Sequence, residues 1–280
     1  MKSDFSVKSN VCAVFFLFLI IVSHALSFEI IKITEYTFPG GIIKVTLESP
    51  RRCEAEFMGK VYPLFKDDKI QAGYIPVRLE MSGKAPLIIR EKRFLRKDRT
   101  TEKTVTIQKK KFRQSRISVK KEDIPAISDE SKKNIKLNLD SFTKNKYSDK
   151  FSLPLKKYII TSGFGVRRVD KKGKTLWQHT GVDFVAPRGT EVFPVARGKV
   201  LQVIKDYPLY GNAVIIEHGR GVKSFYMHLD EVTCVEGEII TAEMSLGALG
   251  STGLSTGAHL HLGIYLFGVP VDPLYAVEAL

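Results

Sequence analysis

Four of the six histidines fall into three short strings near the C-terminus: His179-Thr180-Gly181-Val182-Asp183, Tyr226-Met227-His228-Leu229 and His259-Leu260-His261. Of the other two, His24 lies near the N-terminus and His218 stands between the strings. Scattered core histidines do not group into an H-x-x-x-D and an H-x-H. Histidine with aspartate is the ligand chemistry of a zinc site that keeps one coordination position open. Any fold the chain adopts has to bring these strings together.

The surrounding sequence predicts strands. Val192–Val195, Val200–Ile204, Ala213–Glu217, Lys223–Met227 and His259–Leu266 are rich in β-formers, with frequent glycines between them. Helical periodicity is absent until the last few residues. On a strand, residues two apart share a face, so His259 and His261 point the same way with Leu260 behind them. His179 and Asp183 share a face if their segment is extended, and Gly181 would let the backbone come close to an ion. Two imidazoles and one carboxylate complete a three-ligand set, and the fourth histidine is left as a base that is not a ligand. Spacing alone leaves open which of His259 and His261 is the ligand.

The first half is different. Val11–Val22 is an apolar run of twelve after Lys2 and Lys8, and Ser23-His24-Ala25 or Ala25-Leu26-Ser27 offers small residues for cleavage. Residues 1–25 therefore read as a signal peptide. The alternative, a retained anchor, needs about 20 apolar residues. Residues 26–120 carry short apolar runs (Phe28–Ile33, Ile42–Leu47, Ala55–Phe57, Tyr74–Leu79, Pro86–Ile89, Thr104–Ile107) broken by turn residues, the pattern of a small β-sandwich. Residues 121–150 read as a helical linker. Ser128 or Asp129 caps an exposed helix that carries Ile135, Leu139 and Phe142. Residues 151–280 form the second, all-β domain.

Of the formal charge of +14, residues 151–280 hold only +1 and residues 26–150 hold +12. Arg90–Lys120 has 13 basic and 3 acidic residues. In an exported chain such a face meets a cell-wall polymer, anionic lipid or lipopolysaccharide rather than nucleic acid, or it is only a solvated strand face and loop. Cys53 and Cys234 fall in different domains and are expected as unpaired thiols.

The motifs also resemble a known family. Thr161-Ser162-Gly163-Phe164-Gly165-Val166-Arg167, then His179–Asp183, Gly189-Thr190-Glu191-Val192, Tyr210-Gly211-Asn212, Tyr226–Leu229, Gly250-Ser251-Thr252-Gly253 and Ser255–His261 resemble, in order, the lysostaphin/LytM-type zinc endopeptidases. The likeness covers about residues 158–275. It implies the duplicated hybrid motif fold, an antiparallel sheet with a narrow groove, and hydrolysis of peptide stems or cross-bridges in peptidoglycan. Position by position, it makes His179, Asp183 and His261 the ligands of one zinc ion per chain, and His228 and His259 the catalytic pair. The chain departs from the family pattern at Ala258 and over Ala242–Leu246, away from those five positions.

The expectation is thus an exported, periplasmic or envelope zinc metalloendopeptidase. Peptidoglycan is its substrate, an anionic envelope polymer its partner through the basic half, and no membrane span remains after cleavage. The alternative is a non-catalytic wall-binding or amidase-activating protein of the same fold, which would be expected to lack ligands. His218 is expected to close a strand, Tyr210 and Asn212 to be turn residues, and Trp177 either to line the groove or only to pack. Arg167 and Arg168 are expected in a solvated turn, or against a substrate carboxylate.

Overall fold

The computed structural model describes residues 28–117, 128–147 and 150–280. The expected signal peptide 1–25, and residues 118–127 and 148–149 at the edges of the expected linker, lie outside the described residues.

The N-terminal half is built from strands of period two. In Cys53–Phe57, Cys53, Ala55 and Phe57 are buried while Glu54 and Glu56 between them are not. One sheet runs in the order Glu29–Ile33, Ile42–Glu48, Ile70–Pro76, Phe65–Asp67. The other runs Tyr36–Thr37, Arg99–Ile107, Gly83–Glu91, Cys53–Phe57, Lys60–Pro63. Val45 and Leu47 from the first and Leu87 and Ile89 from the second share one core, so the two sheets face each other as a sandwich. The short strands Lys60–Pro63 and Phe65–Asp67 were not readable in sequence, because runs of 4 and 3 residues are too short to show an alternating pattern.

The C-terminal domain centres on one large sheet. Its main path is Ile159–Ser162, Val182–Val185, Leu260–Leu266, Val222–Val232, Gly211–Gly219, Gly198–Tyr207, Ile239–Ile240. Both faces are covered over its middle. Val214, Ile216 and Tyr226 enter one core, and Ala213, Ile215 and Phe225 the other. This explains why these strands read as unbroken apolar runs rather than alternating ones.

The helix Asp129–Asp140 is capped by Ser128, whose hydroxyl accepts from the Ser131 amide. Most of it is exposed, as expected, but one edge is packed. Ile135 and Leu139 are buried with Ile204, Tyr207 and Ala213 on the second face of the large sheet. Phe142, beyond the helix, packs edge-on against Phe65 and Phe267.

The two halves are joined tightly. The sandwich core continues into Val222, Ile264, Leu266 and Phe267 of the large sheet. Lys110 pairs with Asp272 at 3.3 Å, and the Lys60 ammonium donates to the Phe267 carbonyl at 3.1 Å. The strand Gln114–Arg116 then pairs in parallel with Arg167–Val169 of the C-terminal domain, Ser115 opposite Arg168. Cys53 and Cys234 are both buried free thiols.

Candidate metal centre

Strand register assembles the site. Asp183 of Val182–Val185 lies directly opposite His261 of Leu260–Leu266, and His261 lies opposite Met227 on its other side. Leu260 and Leu262 point into the apolar core beside Val182 and Phe184. Alternation therefore turns Asp183 and His261 to the opposite face. His179 arrives from the end of the strand Thr175–Gln178, its backbone held by bonds with Val166 and Gly165. It is not on one extended segment with Asp183, yet it reaches the same point.

Three electron-pair donors converge there. His179 Nε2 is 3.0 Å from Asp183 Oδ1 and 3.0 Å from His261 Nδ1, and His261 Nδ1 is 2.9 Å from Asp183 Oδ1. All three residues are buried. His179 Nδ1 lies 2.9 Å from the Gly163 carbonyl. A carbonyl only accepts, so Nδ1 carries the proton and Nε2 offers a lone pair. A neutral imidazole so fixed cannot donate to the carboxylate it faces. Lone pairs gathered this closely require a cation among them. A tetrahedral zinc with bonds of about 2.0–2.2 Å sets its ligands roughly 3.4 Å apart, close to the triangle found. The donor set fits zinc. His261 is pushed down by burial, which keeps it neutral and able to ligate.

His259 and His228 stand beside the triangle. His259 Nε2 is 4.0 Å from Asp183 Oδ1, and the His228 and His259 rings are 4.7 Å apart. His259 Nδ1 is 2.8 Å from the Gly257 carbonyl, and His228 Nδ1 is 2.8 Å from the Thr252 carbonyl. By the same reasoning each keeps an acceptor Nε2. Burial lowers the His228 pKa to about 4, so its ring is neutral at pH 7.

The placement of His228 is not what a regular strand would produce. Tyr226 and Leu229, three apart, both enter the first core. The pairing with Gly211–Gly219 shifts between Asn212 and Val214, so the strand holds one extra residue there. His228 sits in that bulge with φ +65°, a left-handed conformation uncommon for a non-glycine residue. The bulge turns the ring away from the core and toward His259. Tyr210 and Asn212 are more than turn residues. The Tyr210 carbonyl accepts the His228 amide at 2.9 Å, and the Asn212 side chain donates to the Leu229 and Asp230 carbonyls at 3.2 and 3.3 Å.

Gly181 makes room for a ligand side chain. A β-carbon there would overlap the His261 ring and the Leu262 carbonyl, so glycine is what lets His261 reach Asp183. Arg168 is not solvated. Its guanidinium donates to Ser162 Oγ at 2.9 Å and to Asp183 Oδ2 at 3.3 Å, and to Ser115 Oγ at 3.3 Å. No local pattern marks it, because these contacts cross 15 and 53 positions of chain. His218 is buried, bonded to the Arg197 carbonyl at 3.0 Å and Ser224 Oγ at 2.7 Å, and belongs to the strand end rather than the metal. Trp177 is partly exposed on its strand.

Comparison with known proteins agrees with this geometry. The profile of peptidase family M23 matches residues 177–273, a span that holds all five site residues. The chain is 35% identical over 117 residues to the peptidoglycan DD-endopeptidase ShyB of Vibrio cholerae, covering 42% of this chain and 27% of ShyB. It is 41% identical over 121 residues to the DD-carboxypeptidase/endopeptidase Mpg of Neisseria meningitidis, covering 43% of this chain and 27% of Mpg. The matched region thus spans about a quarter of the length of these relatives. In three dimensions the chain is similar to a Pseudomonas aeruginosa structure described as a candidate M23 peptidase. The TM-score is 0.65 at 24% identity, covering 87% of this chain and 96% of that one. That likeness extends the shared fold into the N-terminal half.

Proposed function

We propose, from the match of residues 177–273 to the profile of peptidase family M23, that the chain is a zinc-dependent endopeptidase acting on the peptide part of bacterial peptidoglycan. The observation that carries this is the triangle of His179 Nε2, Asp183 Oδ1 and His261 Nδ1, with the acceptor nitrogens of His259 and His228 turned toward the same space. A relative named as a peptidoglycan DD-endopeptidase supports the substrate class.

His179, Asp183 and His261 would hold the metal. Zinc in such a site supplies polarisation of a scissile carbonyl and a water acidic enough to ionise near pH 7. The protein does the rest. His259 Nε2 accepts the proton of the attacking water, because Nδ1 is already committed to the Gly257 carbonyl. The imidazolium so formed then carries a proton to the leaving amine. His228, neutral and fixed by the Thr252 carbonyl, accepts from the water and orients it. In its neutral form it has no proton at Nε2 to donate to an oxyanion. Acid–base help of this kind contributes about 10²–10⁴-fold.

We assign residues 1–25 to a signal peptide, 26–120 to the basic β domain, 121–150 to the helical linker and 151–280 to the endopeptidase domain. This division supports export to the periplasm or envelope. It also supports a role for the basic half in holding an anionic envelope polymer. A non-catalytic wall-binding protein of the same fold is the competing reading, and the presence of all five site residues disfavours it. Digestion of purified sacculi, with muropeptides read by mass spectrometry, tests the proposal. New peptide ends that vanish on chelation are expected, and intact sacculi with the zinc-loaded protein would refute it.

A further inference from the structure

The hairpin formed by Gly83–Glu91 and Arg99–Ile107 ends in a turn that nothing in the proposed chemistry uses. At its tip Phe94 and Leu95 are 89% and 88% exposed, the two most exposed large apolar side chains among the described residues. A single exposed leucine is ordinary, but two neighbouring apolar side chains at one tip are not. Arg96 and Lys97 follow directly, both exposed and without an ion pair among the described residues. The turn is also held in shape. Lys92 pairs with Asp98 at 3.0 Å and with Glu54 at 2.7 Å, and the Arg93 amide donates to Asp98 at 3.2 Å. Leu95 has a left-handed φ of +55°, which fixes the bend. Along its own hairpin the tip lies far from the Lys110–Asp272 contact with the C-terminal domain. Ile107, from which the chain continues to Lys110 and its contact with Asp272, is eight residues from Arg99. That is ~26 Å at the rise of a strand.

Charge alone would suit any polyanion. A hydrated wall polymer offers no apolar interior for Phe94 and Leu95, whereas the boundary between lipid headgroups and acyl chains offers both an apolar layer and an anionic surface. We propose that the Lys92–Asp98 turn is a membrane-docking tip that buries Phe94 and Leu95 in the interface of an anionic lipid bilayer, with Arg96 and Lys97 at the headgroups. Docking there would hold the chain on the membrane side of its wall substrate. That consequence depends on the proposed function, but the docking itself does not.

The test places a reporter at the tip of the full chain: Phe94→Trp in a Trp177→Phe background, mixed with vesicles. With phosphatidylcholine containing one-third phosphatidylglycerol, residue 94 should shift its emission to the blue and be quenched by brominated acyl chains. With phosphatidylcholine alone it should not. The readout is local to residue 94, so binding through the apolar run Val11–Val22 does not imitate it. Arg96→Gln and Lys97→Gln should each weaken the anionic-vesicle response about fivefold. Leu95→Ser should weaken it about tenfold. All these side chains are exposed, so thermal unfolding should be unchanged. An emission unmoved by anionic vesicles at low salt would overturn the proposal. So would an equal shift with dextran sulfate, which would reassign the tip to a soluble polyanion.

Discussion

Arg168 donates to Asp183 Oδ2 at 3.3 Å while Asp183 Oδ1 faces His179 and His261, so the carboxylate is held by both of its oxygens. The same guanidinium reaches Ser162 and, from the strand Gln114–Arg116, Ser115. Groups that orient a ligand typically account for 10–100-fold in metal affinity. Arg168→Ala should therefore weaken zinc binding by about that factor in a competition titration with a chromophoric chelator. Arg168→Lys should recover only part, since one ammonium cannot span Ser162 and Asp183 as the planar fork does. Equal zinc affinity in Arg168→Ala and the parent protein would show that the contact is incidental.

The two histidines of the H-x-H should fail differently. His261→Ala removes a ligand, so zinc content and hydrolysis should fall together. His259→Ala leaves the triangle whole, so zinc should stay while turnover drops by about 10²-fold or more. His228→Ala should behave like His259→Ala. Zinc content measured beside turnover decides the matter. Zinc lost from His259→Ala and kept by His261→Ala would reverse the roles proposed here.

Metal removal should cost stability as well as activity. Three lone-pair donors held 2.9–3.0 Å apart repel one another without a cation. Binding to the folded chain alone stabilises it by RT ln(1 + [zinc]/Kd), about 2.7 kcal/mol at a hundredfold excess over Kd. One zinc per chain should copurify, chelation should lower the melting temperature, and stoichiometric zinc should restore both. A melting temperature indifferent to zinc would argue against the site.

Gly181→Ala should mimic the loss of a ligand without touching one. The added methyl would overlap the His261 ring and the Leu262 carbonyl, and the carbonyl belongs to the paired strand and cannot move away. Zinc affinity should fall at least tenfold, the lower end of what disturbed ligand orientation costs. The rest of the fold should persist by circular dichroism. Normal zinc binding in this variant would show that the ring has room to shift.

Acid should destabilise the apo protein through His218. Burial lowers its folded pKa to about 4, against an ordinary value of 6.5. Above 6.5 the ring is neutral in both states and its contribution is complete. As the pH falls from 6.5 toward 4, the unfolded chain takes up a proton that the folded chain refuses, so stability declines. The slope per group is at most about 1.4 kcal/mol per pH unit. His228, also lowered to about 4 by burial, acts in the same direction. Urea midpoints between pH 7 and 4.5 should fall less steeply for His218→Gln than for the parent. Parallel slopes would exclude His218 as a source.

The sequence by itself determined the class of the fold and the chemistry of the site. Period-two and continuous apolar runs separated by turn residues specify strands, because burial of one face or both leaves that record locally. Histidines and an aspartate grouped near the C-terminus specify a metal, because few other uses need those side chains together. Motif order supplied the identities of the ligands, which spacing alone had left open between His259 and His261. Only the tertiary structure decided how they meet. Asp183 faces His261 through a strand register, and register depends on pairing across 78 residues of chain. Alternation would have sent His228 into the apolar core; a one-residue bulge, held by the Tyr210 carbonyl and the Asn212 side chain, turns it toward His259. Arg168 looked like a solvated turn residue until Ser162, Asp183 and Ser115 were folded around it. These contacts are non-local, and a non-local contact has no signature in the residues beside it.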